Sequence, residues 1–181
     1  TVSTALDTTA DTRLGRAMAP AVAAHPGLTG IHPLGNPREA FAARAILIRA
    51  AERSLDLQYY IWHGDTSGTM LLDELKAAAS RGVRVRLLLD DNGTSGLDSE
   101  LTALDAHPNI EVRLFNPFTV RNPKAIGYAM DFGRLNRRMH NKSLTADNQA
   151  TIIGGRNIGD EYFGATTGSQ FADLDVLAVG A

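Results

Sequence analysis

The sequence contains no cysteine, and it also lacks a long apolar run and an excess of charge of one sign. Without cysteine the chain has no disulfide, no catalytic thiolate and no cysteine metal site, and the redox compartment stays open. No apolar run approaches the ~18 residues that a membrane-spanning helix needs. The 18 basic and 20 acidic residues leave a formal net charge of −2. Nucleic acid is therefore not the expected partner, because its binding proteins usually carry a strong basic field.

What is present is the composition of one globular domain. The 181 residues are 44% hydrophobic and 21% charged, which suffices for one sizeable domain. The first residue is a threonine, so we expect a processed or trimmed N-terminus and leave a removed signal or anchor open. Residues 1–35, rich in Ala, Thr, Pro and Gly, are predicted to be an N-terminal arm with a short helix at Leu14–Ala24. Residues 36–181 are predicted to be the folded domain.

Helical and strand patterns alternate from residue 36 onward. Asn36 and Pro37 predict a helix start, and Phe41, Ala45 and Ile48 follow on one face of that helix. Strands are predicted at Leu55–Trp62, Val83–Leu89 and Ile110–Phe115, with helices near residues 67–80 and 97–104 between them. Strands joined by helical crossovers lie parallel. The predicted fold class is therefore α/β, with a mainly parallel sheet flanked by helices.

The segment that follows Asn116 departs from this alternation of helix and strand patterns. It mixes aromatic rings with basic side chains, namely Phe118, Tyr128, Phe132, Arg121, Lys124, Arg134, Arg137 and Arg138. Two interpretations stay open: a solvated surface loop with one or two helical turns, or a lip that presents basic and apolar groups to an amphipathic anionic substrate. Loops longer than ~12–15 residues inside compact domains are often functional.

The stretch RRMHNKSLTADNQATIIGGRN, from Arg137 to Asn157, holds the candidate chemistry. RRMHNKSLT is predicted to be a strand and ATIIGG its hairpin partner, with a turn between them. Because strand side chains alternate between faces, His140 and Lys142 should point to the same side. The glycines at 154 and 155 allow a close approach of the backbone to a ligand, and Asn157 offers an amide donor.

These groups suit a phosphate diester. A neutral imidazole can attack phosphorus and split one hard displacement into two easier ones, while an ammonium and an amide stabilise the non-bridging oxygens. No metal or cofactor is expected. A His-Lys pair alone is typical of a solvated strand face, but the full spacing is far rarer. A rival magnesium-phosphatase interpretation would use Asp90 and Asp91 after the strand LLL, although no supporting motif follows them.

The spacing His140-x-Lys142-x4-Asp147-x6-Gly154-Gly155-x-Asn157 resembles the HKD motif of the phospholipase D superfamily. The stretches LDLQYYIWHGD, RGVRVRLLLDD, RLNRRMHNKS and GGRNIGDEYF resemble bacterial phospholipase-D-type cardiolipin synthases, from about residue 30 to the end. The resemblance implies that residues 36–181 are a phospholipase D-like domain holding the first of two HKD motifs.

The resemblance also implies the roles of individual residues. His140 matches the nucleophile that forms a phosphohistidine, and Lys142 and Asn157 match the phosphate-binding pair. Asp147 matches the motif aspartate, which in the family is mainly structural. The carboxylate that orients the histidine is expected at Asp173, with Asp175 as the alternative. Two further phosphate contacts are predicted, from Arg138 and from Gly155, where many members have a serine or threonine and only a backbone amide is available here.

The family builds one active site from two HKD motifs, and this sequence holds one. We expect the second half from a longer chain, of which this would be the N-terminal part, or from a homodimer. The implied activity is that of a cardiolipin-synthase-type phosphatidyltransferase acting on phosphatidylglycerol or a similar phospholipid. It would lie peripherally at a bacterial membrane surface, on the inner membrane or its periplasmic side. The alternatives are a phospholipase D or nuclease, and a catalytically silent half-domain used for assembly or lipid binding.

Overall fold

The computed structural model describes residues 4–120 and 124–180, apart from the side chains of residues 124, 125 and 127–130. The described residues form seven strands and six helices. In chain order these are α1 Arg13–Ala24, β1 Thr29–Leu34, α2 Pro37–Ala50, β2 Ser54–Ile61, α3 Thr66–Ser80, β3 Arg84–Gly93, α4 Asp98–Asp105, β4 Ile110–Phe115, α5 Lys124–Leu135, β5 Lys142–Ala146, β6 Ala150–Gly154, α6 Asp160–Phe163 and β7 Asp175–Gly180.

The strands form one mixed sheet in the order β1-β7-β6-β5-β2-β3-β4. β2, β3 and β4 pair in parallel because the helices α3 and α4 carry the chain back between them. The pairings of β5 with β2 and β6, and of β7 with β6 and β1, are antiparallel. The predicted α/β class is confirmed. The expectation of a mainly parallel sheet holds only for β2–β4, because a tight turn between β5 and β6 reverses the chain.

The hydrophobic core lies on the helix-covered face of the sheet. Leu55, Leu57 and Leu87 on the central strands are almost fully buried, as are Leu144 and Ile152 on β5 and β6. Side chains alternate along each strand, so the neighbouring residues point to the other face. That second face is polar on β2–β4, where a shallow cleft of about 470 Å³ lies over Asp56, Gln58, Arg86 and Arg113.

Local signals place the helix starts where the sequence predicts them. Asn36 Oδ1 accepts hydrogen bonds from the N–H groups of Arg38 and Glu39 at 2.9 and 3.3 Å, and Pro37 is the first residue of α2. The segment predicted as an N-terminal arm contributes α1 and the edge strand β1, so the sheet extends across the predicted boundary at residue 36. In the part of the chain that the structure describes, no helix is long and apolar enough to cross a bilayer.

The segment after Asn116 contains α5, which is kinked at Asp131 (φ −147°, ψ 46°). Phe118 is buried, whereas Phe132 is exposed. Arg121 and the side chains of Lys124 and Tyr128, which the sequence places in the same lip, lie outside the described residues.

Candidate active site

His140 and Lys142 meet at the start of β5. The Nζ atom of Lys142 lies 3.1 Å from His140 Nδ1 and donates a 2.9 Å hydrogen bond to the His140 carbonyl oxygen. The two side chains therefore share one side of the backbone, as the alternation predicts. His140 is exposed while Lys142 is buried, so the imidazole faces solvent and the ammonium lies beneath it.

Burial sets the electrostatics of this pair. Loss of hydration lowers the pKa of the Lys142 ammonium, and the negative charge of Asp173 acts in the opposite direction. A phosphate group that binds here would add negative charge beside the ammonium and so favour its protonated form. When Lys142 is protonated, its N–H donates to His140 Nδ1, which leaves the proton of a neutral imidazole on Nε2.

Tyr60 on β2 lies beside both side chains of this pair, and no motif in the sequence predicts this contact. Its ring centroid lies 4.9 Å from that of His140 and 5.5 Å from Lys142 Nζ. Two other aromatic residues of the same stretch, Tyr59 and Trp62, are fully buried and pack in the core. Tyr60 differs because the next position on a strand faces the other way, and here it lies against the candidate nucleophile.

Asn157 is held firmly beside the end of β2. Its Oδ1 accepts the N–H of Ile61 at 3.0 Å, and its Nδ2 donates to the hydroxyl of Tyr162 at 3.2 Å. Burial raises the pKa of the Tyr162 hydroxyl, which keeps it neutral. These two bonds fix the orientation of an amide that is only 4% exposed.

The two glycines of the motif make room for carboxylates of β7 and the segment before it. A Cβ at Gly154 would lie 2.3 Å from Asp175 Oδ1, and one at Gly155 would lie 2.5 Å from Asp173 Oδ1. The prediction of a free backbone amide at Gly155 is wrong, because the Gly155 N–H donates to the carbonyl oxygen of Leu174 at 3.0 Å. Gly155 matters instead because it lets Asp173 pack against β6.

The structure separates the two candidates for the orienting carboxylate. Asp175 is fully buried, and its Oδ2 lies 2.9 Å from Arg44 Nη2 and 3.3 Å from Arg156 Nη1. Its Oδ1 accepts the backbone N–H of Arg156 at 3.1 Å. Asp173 is only half-buried and close enough to Lys142 to influence its pKa. Asp173 thus remains the available carboxylate, and Asp175 belongs to a buried ion-pair network.

Asp147 occupies a position far from the imidazole. Its fully buried carboxylate accepts the backbone N–H groups of Glu52, Arg53 and Ser54 at 2.9, 2.7 and 2.9 Å. Asp147 itself has a positive φ of 51° in the β5–β6 turn. Asp147 follows Lys142 by five positions, or roughly 16 Å of extended strand. This geometry supports the mainly structural role that the resemblance implies.

Arg138, a predicted phosphate contact, is engaged by protein groups. Its Nη1 pairs with Asp90 Oδ1 at 2.9 Å, its Nε donates to the Leu135 carbonyl oxygen at 2.5 Å, and its guanidinium lies 5.0 Å from the Phe118 ring. Asp90 Oδ2 also accepts the N–H of Met139 at 2.8 Å. The segment before His140 is therefore held by a buried carboxylate rather than by a neighbouring strand. For this reason β5 begins at Lys142 and not at Arg137 as predicted.

Asp90 is thus a residue whose importance sequence reasoning missed, since it was considered only as a magnesium ligand. Its neighbour Asp91 is also fully buried and accepts the N–H of Phe118 at 2.7 Å. Both carboxylates act as anchors for the chain that leads to His140. A buried carboxylate with several protein donors is expected to stay in place.

One group with metal-ligand chemistry occurs within the described ranges, formed by His63, Asp65 and Glu161, whose donor atoms lie within 4.8 Å of one another. Each of them has a protein partner. His63 Nδ1 lies 3.0 Å from Glu161 Oε1, and Asp65 accepts the N–H groups of Gly68 and Asp160 at 3.0 and 2.6 Å. These contacts join the start of α3 to α6.

The mixed sheet and the HKD spacing together define an α/β domain of the phospholipase D superfamily. Residues 45–170 match the family model "Cardiolipin synthase, PLD-like domain", and the chain belongs to this family. It is 59% identical over 168 residues to cardiolipin synthase C of Escherichia coli strain K12, covering 93% of this chain and 36% of that protein. The chain thus spans about a third of the length of that relative.

Solved structures share the fold at low sequence identity. NucT from Helicobacter pylori matches with a TM-score of 0.60 and 18% identity, over 84% of this chain and 85% of that one. Phosphatidylserine synthase from Haemophilus influenzae matches with a TM-score of 0.61 and 16% identity, over 82% of this chain and 33% of that one. At these identities the likeness concerns the fold alone.

Proposed function

We propose that this chain supplies the first half of the active site of a cardiolipin-synthase-type phosphatidyltransferase. The contact of 3.1 Å between His140 and Lys142 carries the proposal, because it places a nucleophile and a cation at one point. The 59% identity to a cardiolipin synthase supports this chemistry over other phosphodiester reactions. Phospholipase D or nuclease activity would use the same groups with water as the acceptor.

In the first step His140 attacks the phosphorus of one phospholipid. A bond forms between an imidazole nitrogen and phosphorus, and the bond from phosphorus to the head-group alcohol breaks. Lys142 and Asn157 hold the non-bridging oxygens as charge develops on them. A bound phosphate draws the Lys142 N–H away from Nδ1, and Asp173 can then accept an Nδ1–H. That tautomer leaves the lone pair of Nε2 free for the attack.

In the second step the hydroxyl of a second lipid, such as phosphatidylglycerol, attacks the phosphohistidine. The new oxygen–phosphorus bond forms as the nitrogen–phosphorus bond breaks, and the imidazole is restored. The group that protonated the departing alcohol takes the proton of the incoming hydroxyl, since the two steps are mirror images. We assign that group to a second HKD half, provided by a longer chain or by a second copy of this one.

The test of this function uses a protein that joins this chain to a second HKD half, called the longer protein below, without added metal. We expect it to convert phosphatidylglycerol in vesicles into a product with two phosphatidyl groups and free glycerol, and to leave plasmid DNA intact. His140→Ala should abolish the reaction while His25→Ala, a change at an exposed histidine outside the motif, leaves it unchanged. Phosphatidic acid as the main product would indicate a phospholipase D, and nicked plasmid a nuclease.

We further propose that the protein meets the membrane peripherally through the lip formed by α5 and the residues after it. Ile126 and Phe132 are 48% and 63% exposed there, and Arg137, in the residues after α5, is exposed as well. Exposed apolar groups beside a cation fit an anionic lipid surface. Arg138, which the sequence analysis also places in the lip, pairs with Asp90 and is not one of these exposed groups.

Arg137→Glu should weaken binding of the longer protein to vesicles that contain phosphatidylglycerol. The change removes an attraction of ~1 kcal/mol and adds a repulsion of similar size, so the loss should be about 2 kcal/mol. Co-sedimentation at low and high salt measures it, and the effect should shrink as salt rises. Lys76→Glu, an equal charge reversal at an exposed position of α3, is the matched control. An equal loss for both variants would mean that net charge matters and the lip does not.

A further inference from the structure

A second cleft lies beside the candidate active site. It has a volume of about 630 Å³ and runs between Gly35 and Pro37 at the start of α2 and the segment 170–174 that leads into β7, with Arg156 in its lining. Asp173 forms part of its wall and also influences Lys142, so the cleft adjoins the place where a reacting phosphate would bind.

Positive charge lies beneath this cleft. Arg44 and Arg156, both 1% exposed, share the single carboxylate of Asp175, which leaves one guanidinium charge in excess before Asp173 in the cleft wall is counted. Within the part of the chain that the structure describes, Arg156 Nε has no hydrogen-bond partner. When Lys142 of the candidate active site is included, the region holds three cations, Arg44, Arg156 and Lys142. Two carboxylates, Asp173 and Asp175, balance them in part. Excess buried positive charge favours an anion nearby.

The rim of the cleft is apolar. Phe171 and Leu174 are 54% and 57% exposed, although both side chains are large and hydrophobic. Phe171 stacks on Tyr162 with ring centroids 4.9 Å apart, which fixes one side of the rim. An apolar rim above buried positive charge is complementary to an amphiphile that has an anionic group and hydrocarbon chains.

We propose that this cleft binds the second phospholipid of the transfer, the one whose hydroxyl accepts the phosphatidyl group. The inference rests on the proposed function, since transfer between two phospholipids brings two anionic diesters together. Lys142 and Asn157 hold the diester that reacts. The other diester keeps its charge throughout and is stabilised by the field of Arg44 and Arg156, while its acyl chains lie over Phe171 and Leu174.

Binding to this 181-residue chain tests the cleft without reference to activity. The probe is dihexanoyl phosphatidylglycerol below its micelle concentration, titrated by NMR, with inorganic phosphate followed separately at the His140 signal. Leu174→Glu adds a negative charge at an exposed position, so it should weaken lipid binding roughly tenfold or more and change phosphate binding by less than about twofold. Ile46→Glu, at a 62% exposed residue of α2, should change neither.

Unchanged lipid binding in Leu174→Glu would overturn the proposal, and so would an equal loss of lipid and phosphate binding, because that loss would point to the His140 site. In the longer protein, Leu174→Glu should raise the KM for acceptor phosphatidylglycerol. If the unaltered protein transfers nothing between lipids, the proposed function fails. The binding experiment still decides whether the cleft takes an anionic phospholipid.

Discussion

Asp175→Asn should destabilise the chain severely, whereas Asp173→Asn should leave it folded. Asp175 lies within 3.3 Å of two guanidiniums that are each 1% exposed, and an asparagine in its place would leave them without a counter-charge. Breaking a buried ion pair costs ~3–5 kcal/mol. Chemical denaturation of the 181-residue chain measures this loss in the free energy of unfolding.

The same exchange at Asp173 should change that free energy by less than about 1 kcal/mol, because the side chain is only half-buried. Its effect should appear in the longer protein as a kcat lowered by about 10²-fold, with inorganic phosphate still bound at the site. The two variants change a carboxylate to an amide of the same shape and so control for each other. A stable but inactive Asp175→Asn together with an unstable Asp173→Asn would reverse the assignment of the orienting carboxylate.

The parts of the structure that follow from neighbouring residues could be read from the sequence. Asn36 and Pro37 start α2 by local hydrogen bonding, and strand alternation alone places His140 and Lys142 on one side. The turn at Asp147 and the strands β2–β4 depend on equally local patterns. In each case the deciding signal is an interaction between residues a few positions apart or a periodicity along one element.

What the sequence could not predict depends on contacts between distant residues. Met139 bonds to Asp90, 49 positions away, and this contact delays the start of β5. Asp175 pairs with Arg44, 131 positions away, and this contact commits its carboxylate to a buried ion pair. The Gly155 amide was expected to be free, but it is used by the chain that packs against β6. No spacing within a motif encodes such partners.

The isolated 181-residue chain, as a monomer, should bind phosphate and yet have almost no transferase activity. His140, Lys142 and Asn157 lie within this chain, so an anion can still be held. In the proposed two-half site, the second half provides the group that protonates the departing alkoxide and about half of the oxyanion donors. General acid catalysis is worth ~10²–10⁴-fold and each oxyanion donor ~10²–10³-fold, so their combined loss should bring the rate below detection.

A concentration series of the purified chain, with His140→Ala as the control, measures this rate directly. Turnover that depends on His140 and is proportional to protein concentration would mean that one HKD motif is sufficient. Turnover that rises with the square of the concentration would instead indicate that two copies assemble one site. No turnover at any concentration, together with full activity of the longer protein, would assign the second half to the segment joined to this chain. The phosphate bound by the inactive chain would then mark the half of the site that His140, Lys142 and Asn157 provide.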